Sequence, residues 1–167
     1  VDELKVLMGL RRIRAVADYQ FGRGVGKELF PDGVKLTFSP RTGRVRHIYL
    51  NDVLLATIRP SDGLLALTVE GAKRLLKVLP PPRMRVVVDQ KLAPLIAEGK
   101  DVEAAWVKSV DPDIRPKDEV LVVDPADRPL AVGRAVLSGA EMLSFKAGLA
   151  VKVRRGIYVE EAQPKGG

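Results

Sequence analysis

Cysteine is absent from all 167 residues. Its absence rules out a disulfide framework, a thiol nucleophile and every cysteine-ligated zinc or iron–sulfur site. Histidine is almost absent too: His47 stands alone, too little for a histidine-rich metal site. No apolar run is long enough to cross a bilayer, and the opening Val1-Asp2-Glu3-Leu4 lacks the layout of a signal peptide. The expectation is a soluble cytoplasmic protein with no membrane partner, no metal and no cofactor. Twelve prolines and no cysteine also suit a thermophile. The length leaves room for one medium domain or two small ones, and for a core that needs no covalent staple.

What is present in excess is positive charge, +7 overall, and it is unevenly spread. Residues 1–82 hold fourteen Lys and Arg against eight Asp and Glu, whereas residues 83–167 hold fourteen against thirteen. Between residues 5 and 46, ten cations face only Asp18, Glu28 and Asp32. Such a one-sided stretch points to a polyanionic partner, the alternative being a solvated basic face. Arg11, Arg14, Arg23, Lys27, Arg44 and Arg46 are the candidate phosphate contacts within it.

Hydrophobic periodicity predicts a helix over 2–19, with Val6, Leu10, Ile13 and Ala17 on one face. The helix should stop at the alternate glycines of Phe21-Gly22-Arg23-Gly24-Val25-Gly26-Lys27, with a short helical turn near Leu29-Phe30. Strands are expected over 34–38, 44–50, 53–58 and 64–67, with Asn51-Asp52 as a two-residue hairpin loop. Thr68 should cap a helix over 69–79. Pro80-Pro81-Pro82 then reads as a stiff, extended connector and a domain boundary. Beyond it come strands over 84–88, 102–110, 119–124, 130–137 and 149–155, and a short helix over 91–98. Another short helix opens with the capping box Ser138-Gly139-Ala140-Glu141 and has Gly148 just past its end. The sum is an α+β protein: an α+β domain with an antiparallel sheet over 1–80, a small mixed β pseudo-barrel over 83–159, and a disordered tail over 160–167.

Individual residues offer little catalytic chemistry. The Gly22-to-Lys27 loop superficially resembles a phosphate-binding loop, but it lacks the preceding strand and the Walker spacing. A tight helix-ending turn explains its glycines better, with an RNA-backbone contact by Arg23 or Lys27 left open. Phe21 and Trp106 read as core aromatics rather than stacking platforms, and His47, beside Arg46, as ordinary packing. Asp111, Asp113, Asp118 and Glu119 cluster, but Pro112 and Pro116 make that stretch a rigid connection.

Residues 110–123, with Val110-Asp111-Pro112 and Arg115-Pro116-Lys117-Asp118, resemble the centre of a PUA domain. So do Leu130-Ala131-Val132-Gly133-Arg134 and Gly148-Leu149-Ala150-Val151-Lys152-Val153-Arg154 in the same order. PUA is the module shared by pseudouridine synthases and archaeosine transglycosylases. In the first half, Ala17-Asp18-Tyr19-Gln20-Phe21-Gly22-Arg23-Gly24, Ile58-Arg59-Pro60-Ser61-Asp62-Gly63-Leu64 and Gly71-Ala72-Lys73-Arg74-Leu75 resemble the domain that precedes PUA in archaeosine tRNA-guanine transglycosylase. That family exchanges a guanine in archaeal tRNA on a (β/α)₈ barrel with an Asp nucleophile and a cysteine-rich zinc site. Such a barrel takes roughly 250 residues, more than this chain has.

The resemblance therefore implies tRNA binding and no catalysis by the chain alone, with a separate tRNA-guanine transglycosylase catalytic subunit as a possible partner. It also implies RNA contacts at Gly99-Lys100, the turn after the first barrel helix, and along the last strand. There Leu149, Val151 and Val153 should point in, and Ala150, Lys152 and Arg154 out, with Arg155 at the strand end. A translation-associated PUA protein at the ribosome is the alternative, and an enzyme of unrecognised type a more distant one.

Overall fold

The computed structural model describes residues 2–158, so the tail expected over 160–167 lies outside the described residues. The chain divides into two compact units, the first ending at Leu79 and the second beginning at Pro80.

The first unit opens with α1 (Glu3–Phe21), capped by the Asp2 carboxylate, which accepts from the Leu4 amide. Ile13, Ala17 and Phe21 form its buried stripe, so Phe21 is a core residue. After Gly22, at φ 135°, and Gly24, at φ 86°, the chain enters α2 (Val25–Leu29). Gly26 has a different reason to be glycine: a Cβ there would run into the Arg14 carbonyl oxygen of α1. The two helices pack backbone to backbone. Strands β1 (Lys35–Phe38), β2 (Val45–Leu50), β3 (Val53–Ile58) and β4 (Leu65–Leu67) form an antiparallel sheet in sequential order. Asn51 and Asp52 turn between β2 and β3 at φ 51° and 65°, the left-handed pair that a two-residue loop demands. Thr68 caps α3 (Val69–Val78): its hydroxyl oxygen accepts from the Gly71 amide and donates to the Leu54 carbonyl.

Pro80-Pro81-Pro82 is not an extended connector. The Arg83 and Arg85 amides donate to the Pro80 and Pro82 carbonyls, so the segment is a turn.

The second unit is a six-stranded mixed sheet that nearly closes on itself. Its strands are β5 (Arg85–Val88), β6 (Val102–Glu103), β7 (Val107–Val110), β8 (Glu119–Val123), β9 (Pro129–Ala135) and β10 (Leu149–Gly156), in spatial order β6-β10-β9-β8-β5-β7. Among the described residues only β5 and β8 pair in parallel. The single strand expected over 102–110 is thus two strands at opposite ends of the order, joined by a 3₁₀ turn over Ala104–Trp106. Trp106 sits in that turn, partly buried against the core, rather than in an alternating strand. Between them α4 (Ala93–Ala97) and α5 (Gly139–Ser144) plug the barrel. Both hydrogen bonds of the Ser138–Glu141 capping box are present. Gly148, at φ 102°, lies beyond the helix end and leads into β10 instead of closing α5.

Candidate nucleic-acid interface

Three segments of the first unit, distant in sequence, enclose a cleft of about 800 Å³. The outer face of α1 brings Arg12, Val16 and Tyr19, the β1–β2 turn with the start of β2 brings Arg41, Arg44 and Arg46, and the β3–β4 turn brings Arg59 and Asp62. Ile13, Val45, Ile58 and Leu64 add apolar lining. Strict alternation would send Arg46 away from Val45. The pairing shows why it does not: Thr37 faces His47 and Phe38 faces Val45, so Arg46 is an extra residue in β2. A bulge of this kind re-aims a side chain, and Arg44, Val45 and Arg46 all line the cleft.

The sides of the cleft are held by their own hydrogen bonds. Arg59 reaches Asp62 at 3.3 Å across the β3–β4 turn. Asp18 accepts from the Gly26 amide at 2.7 Å. Gln20 donates to and accepts from the backbone of Leu65, both at 2.9 Å. Within Ala17-Asp18-Tyr19-Gln20-Phe21, two side chains are core and two hold backbone groups. Tyr19 has neither task and is 85% exposed.

The expected phosphate contacts in this unit fare differently. Arg44 and Arg46 are exposed and line the cleft, and Arg12 and Arg41, which sequence reasoning missed as site residues, join them. Arg11, Arg23 and Lys27 are exposed but lie outside the cleft. Arg14 is occupied: its Nε donates to the Phe30 carbonyl at 2.8 Å and its Nη2 to Asp32 at 3.0 Å. With Arg74, which donates to the Glu28 and Leu29 carbonyls, it satisfies the carbonyls at the end of α2. The glycine loop is no phosphate cradle, since an intramolecular carboxylate, Asp18, already takes the Gly26 amide. His47 is half-buried, its Nδ1 2.8 Å from the Thr37 hydroxyl. Burial, aided by the Arg46 charge, lowers its pKa below the ordinary 6.5.

In the second unit the structure brings Gly99, Lys100 and Lys152 together. Gly99, at φ 109°, ends α4, its amide donating to the Ile96 carbonyl and that of Lys100 to Leu95. This Schellman arrangement is the reason for the glycine. Asp101 follows and ties the turn to β10, accepting from the Val153 amide at 2.9 Å and from Lys152 Nζ at 3.2 Å. Lys100 and Lys152 are both exposed.

Arg154 faces outward as expected, but its guanidinium forks onto Glu119 at 2.9 and 2.6 Å. Arg154 is the bulged residue of β10, between Val153 opposite Gly133 and Arg155 opposite Val132. Arg155 is half-buried. Ala150 does not point out. It is fully buried, because the pairing with β6 slips between Leu149 and Val151 and breaks the alternation there.

The acidic cluster likewise serves the backbone. Asp111 accepts from the Met84 and Asp113 amides, and Asp118 from Arg115. Asp124 is buried, which alone would raise its pKa. Hydrogen bonds from Arg128 and Ala126, with the Arg128 charge, more than offset that and hold it below the usual carboxylate value.

Residues 84–157 match the PUA domain, and residues 11–82 match the patch-forming domain C2 of tRNA-guanine transglycosylase. Fold and match together make this a PUA-domain protein. A tRNA-guanine(15) transglycosylase of Pyrococcus abyssi is 52% identical over 148 residues, which are 89% of this chain and 25% of that protein. One of Methanobrevibacter smithii is 45% identical over 148 residues, 89% of this chain and 22% of that protein. The chain carries both domains, and it spans about a quarter of the length of those archaeal relatives, matching their C-terminal tail.

Among solved structures, a hypothetical protein of the hyperthermophilic archaeon Pyrococcus horikoshii superposes with a TM-score of 0.73 at 27% identity, over 92% of either chain. A conserved PUA domain protein of Thermoplasma acidophilum superposes with a TM-score of 0.63 at 22% identity, over 96% of this chain and 93% of that one; this likeness concerns the fold. Among the described residues no helix is long and apolar enough to cross a membrane.

Proposed function

We propose that the chain is a cytoplasmic tRNA-binding module that positions tRNA for a separate tRNA-guanine transglycosylase catalytic chain and performs no base exchange itself. The observation that carries this reading is the extended identity with the tail of the tRNA-guanine(15) transglycosylases, combined with a basic first unit. Arg12, Arg41, Arg44 and Arg46 line one cleft there without an ion-pair partner among the described residues. The proposed phosphate contacts are these four with Arg11, Arg23 and Lys27. In the barrel they are the Gly99-Lys100 turn, Lys152 and Arg155, while Arg14 and Arg154 are assigned to holding the fold. Directed contacts from the barrel fix register, and the basic first unit supplies the field.

Binding of the purified chain to folded tRNA and to a single-stranded RNA of equal length, across a salt series, tests this. Tighter binding to tRNA is expected, with log K falling against log salt at a slope of about 0.7–0.9 per phosphate neutralised. Equal affinity for the unstructured RNA, or a flat salt response, refutes it. Affinity purification from native extract separates the partners: a transglycosylase barrel protein supports the reading, and ribosomal subunits in its place favour a translational role.

A further inference from the structure

We propose that the cleft of the first unit captures a single unpaired nucleotide of the RNA, its base against Tyr19 and its flanking phosphates on Arg12, Arg41, Arg44 and Arg46. The inference rests on the RNA-binding reading and adds what one site recognises.

The cleft has the make-up of a nucleotide site. At about 800 Å³ it falls within the range of small-ligand pockets, roughly 300–1,000 Å³. Its apolar lining suits a planar ring. Tyr19 is a large aromatic left in solvent although the residues on both sides of it in sequence are fixed to the fold. A face-exposed aromatic beside guanidinium groups is the arrangement on which bases stack irrespective of sequence.

Charge decides between a free mononucleotide and a nucleotide within a strand. Five arginines line the cleft against the single carboxylate of Asp62. Arg59 is braced by Asp62, which leaves four cations. One terminal phosphate carries about −1.5 to −2 and cannot match four guanidiniums placed on two different walls. A strand supplies a phosphate on either side of the captured base and more beyond. The β1–β2 turn and the start of β2, with Arg41, Arg44 and Arg46, line the same cleft as Arg12 and Tyr19 of α1, so the chain of phosphates would pass along the cleft while one base enters it. A fully paired helix presents no free base face, and single strands and bulges are where protein aromatics stack on RNA.

The test uses the whole chain and two hairpins with the same stem, one fully paired and one with a single bulged 2-aminopurine. The bulged hairpin should bind about tenfold tighter, within the range that base stacking on an aromatic supports, and its fluorescence should fall on binding. Tyr19→Ala should remove that preference, costing the bulged hairpin about tenfold more affinity than it costs the paired one. Tyr19→Phe should keep both. Guanosine monophosphate should compete only at concentrations far above the hairpin's Kd.

Equal affinity of the wild-type chain for both hairpins overturns the inference while leaving RNA binding standing. Equal losses on both hairpins for Tyr19→Ala, or competition by the mononucleotide as strong as by the bulged hairpin, overturn it as well. Failure to bind any RNA ends both readings.

Discussion

Arg154 is where an RNA-binding role and a structural one make opposite predictions. Its guanidinium forms two charge-assisted hydrogen bonds to Glu119, whose side chain is 1% exposed while that of Arg154 is 34% exposed. Truncating Arg154 to alanine strands a carboxylate in the barrel wall. Removing one partner of a fully buried pair costs about 3–5 kcal/mol. Arg154 is partly open, so water can reach the vacated space, and about 2–3 kcal/mol is the appropriate expectation. For a unit of this size each kcal/mol moves Tm by roughly 4–8 °C. Glu119→Gln removes the charge that needs the guanidinium, so the double variant Glu119→Gln with Arg154→Ala should regain part of the loss, with a coupling of about 1–2 kcal/mol. Trp106 is the only tryptophan and packs on the core of the second unit, so its fluorescence in a urea titration reports that unit directly. If Arg154→Ala unfolds within about 0.5 kcal/mol of the parent, the range of an uninvolved surface change, and tRNA affinity drops with the fold intact, the structural assignment is wrong and Arg154 is an RNA contact.

Two further perturbations test the first unit. Gly26→Ala should cost about 2–3 kcal/mol, since the new Cβ meets backbone on the far helix. Gly24→Ala, at positive φ but in open space, should cost nearer 1 kcal/mol; thermal unfolding followed by far-ultraviolet circular dichroism ranks them, and the reverse order refutes the close-packing argument. The lowered pKa of His47 means that the unfolded chain takes up a proton more readily than the folded one. Stability from this group is therefore complete above about pH 6.5 and is lost as pH falls through the folded value. Urea midpoints between pH 7.5 and 5 should drop more for the parent than for His47→Gln, and parallel curves would exclude the histidine as the source.

Local chemistry was legible wherever a residue type is nearly dictated by its backbone. Asn51-Asp52, Thr68 and the Ser138–Glu141 box all act as their identities require, because turn and cap geometry accept few side chains. The break at 104–106 was not legible. Val102 to Val110 contains no glycine or proline, and its residues satisfy a two-residue period well enough to pass for one strand; only closure of the barrel requires the chain to leave one edge and reach the other. Bulges at Arg46, Ala150 and Arg154 left no mark in the sequence either, and the one at Ala150 overturns the outward direction taken from alternation. Pairing with a neighbouring strand, not the strand itself, decides where the extra residue falls.

The cleft shows how far one-dimensional reasoning reaches toward a site. The surplus of cations between residues 5 and 46 was visible as composition, and Arg44 and Arg46 followed from it. Composition cannot sort cations by their tasks: Arg14 and Arg74 close the end of a helix, Lys5 lies 4.5 Å over the Phe38 ring, and Arg59 braces a turn. A usable signal for Tyr19 did exist, since it falls on the side of α1 opposite Ile13, Ala17 and Phe21, and a large aromatic off the buried stripe needs some other reason to be there. Charge placed where the fold has no use for it, next to an aromatic the core does not claim, marks this surface for an external ligand more firmly than net charge does. The barrel, nearly neutral by composition, pairs several of its cations with its own carboxylates: Arg85 with Asp127, Arg128 with Asp124, Arg154 with Glu119 and Lys152 with Asp101. Among the RNA contacts expected there, Lys100 is the exposed cation left without an ion-pair partner among the described residues.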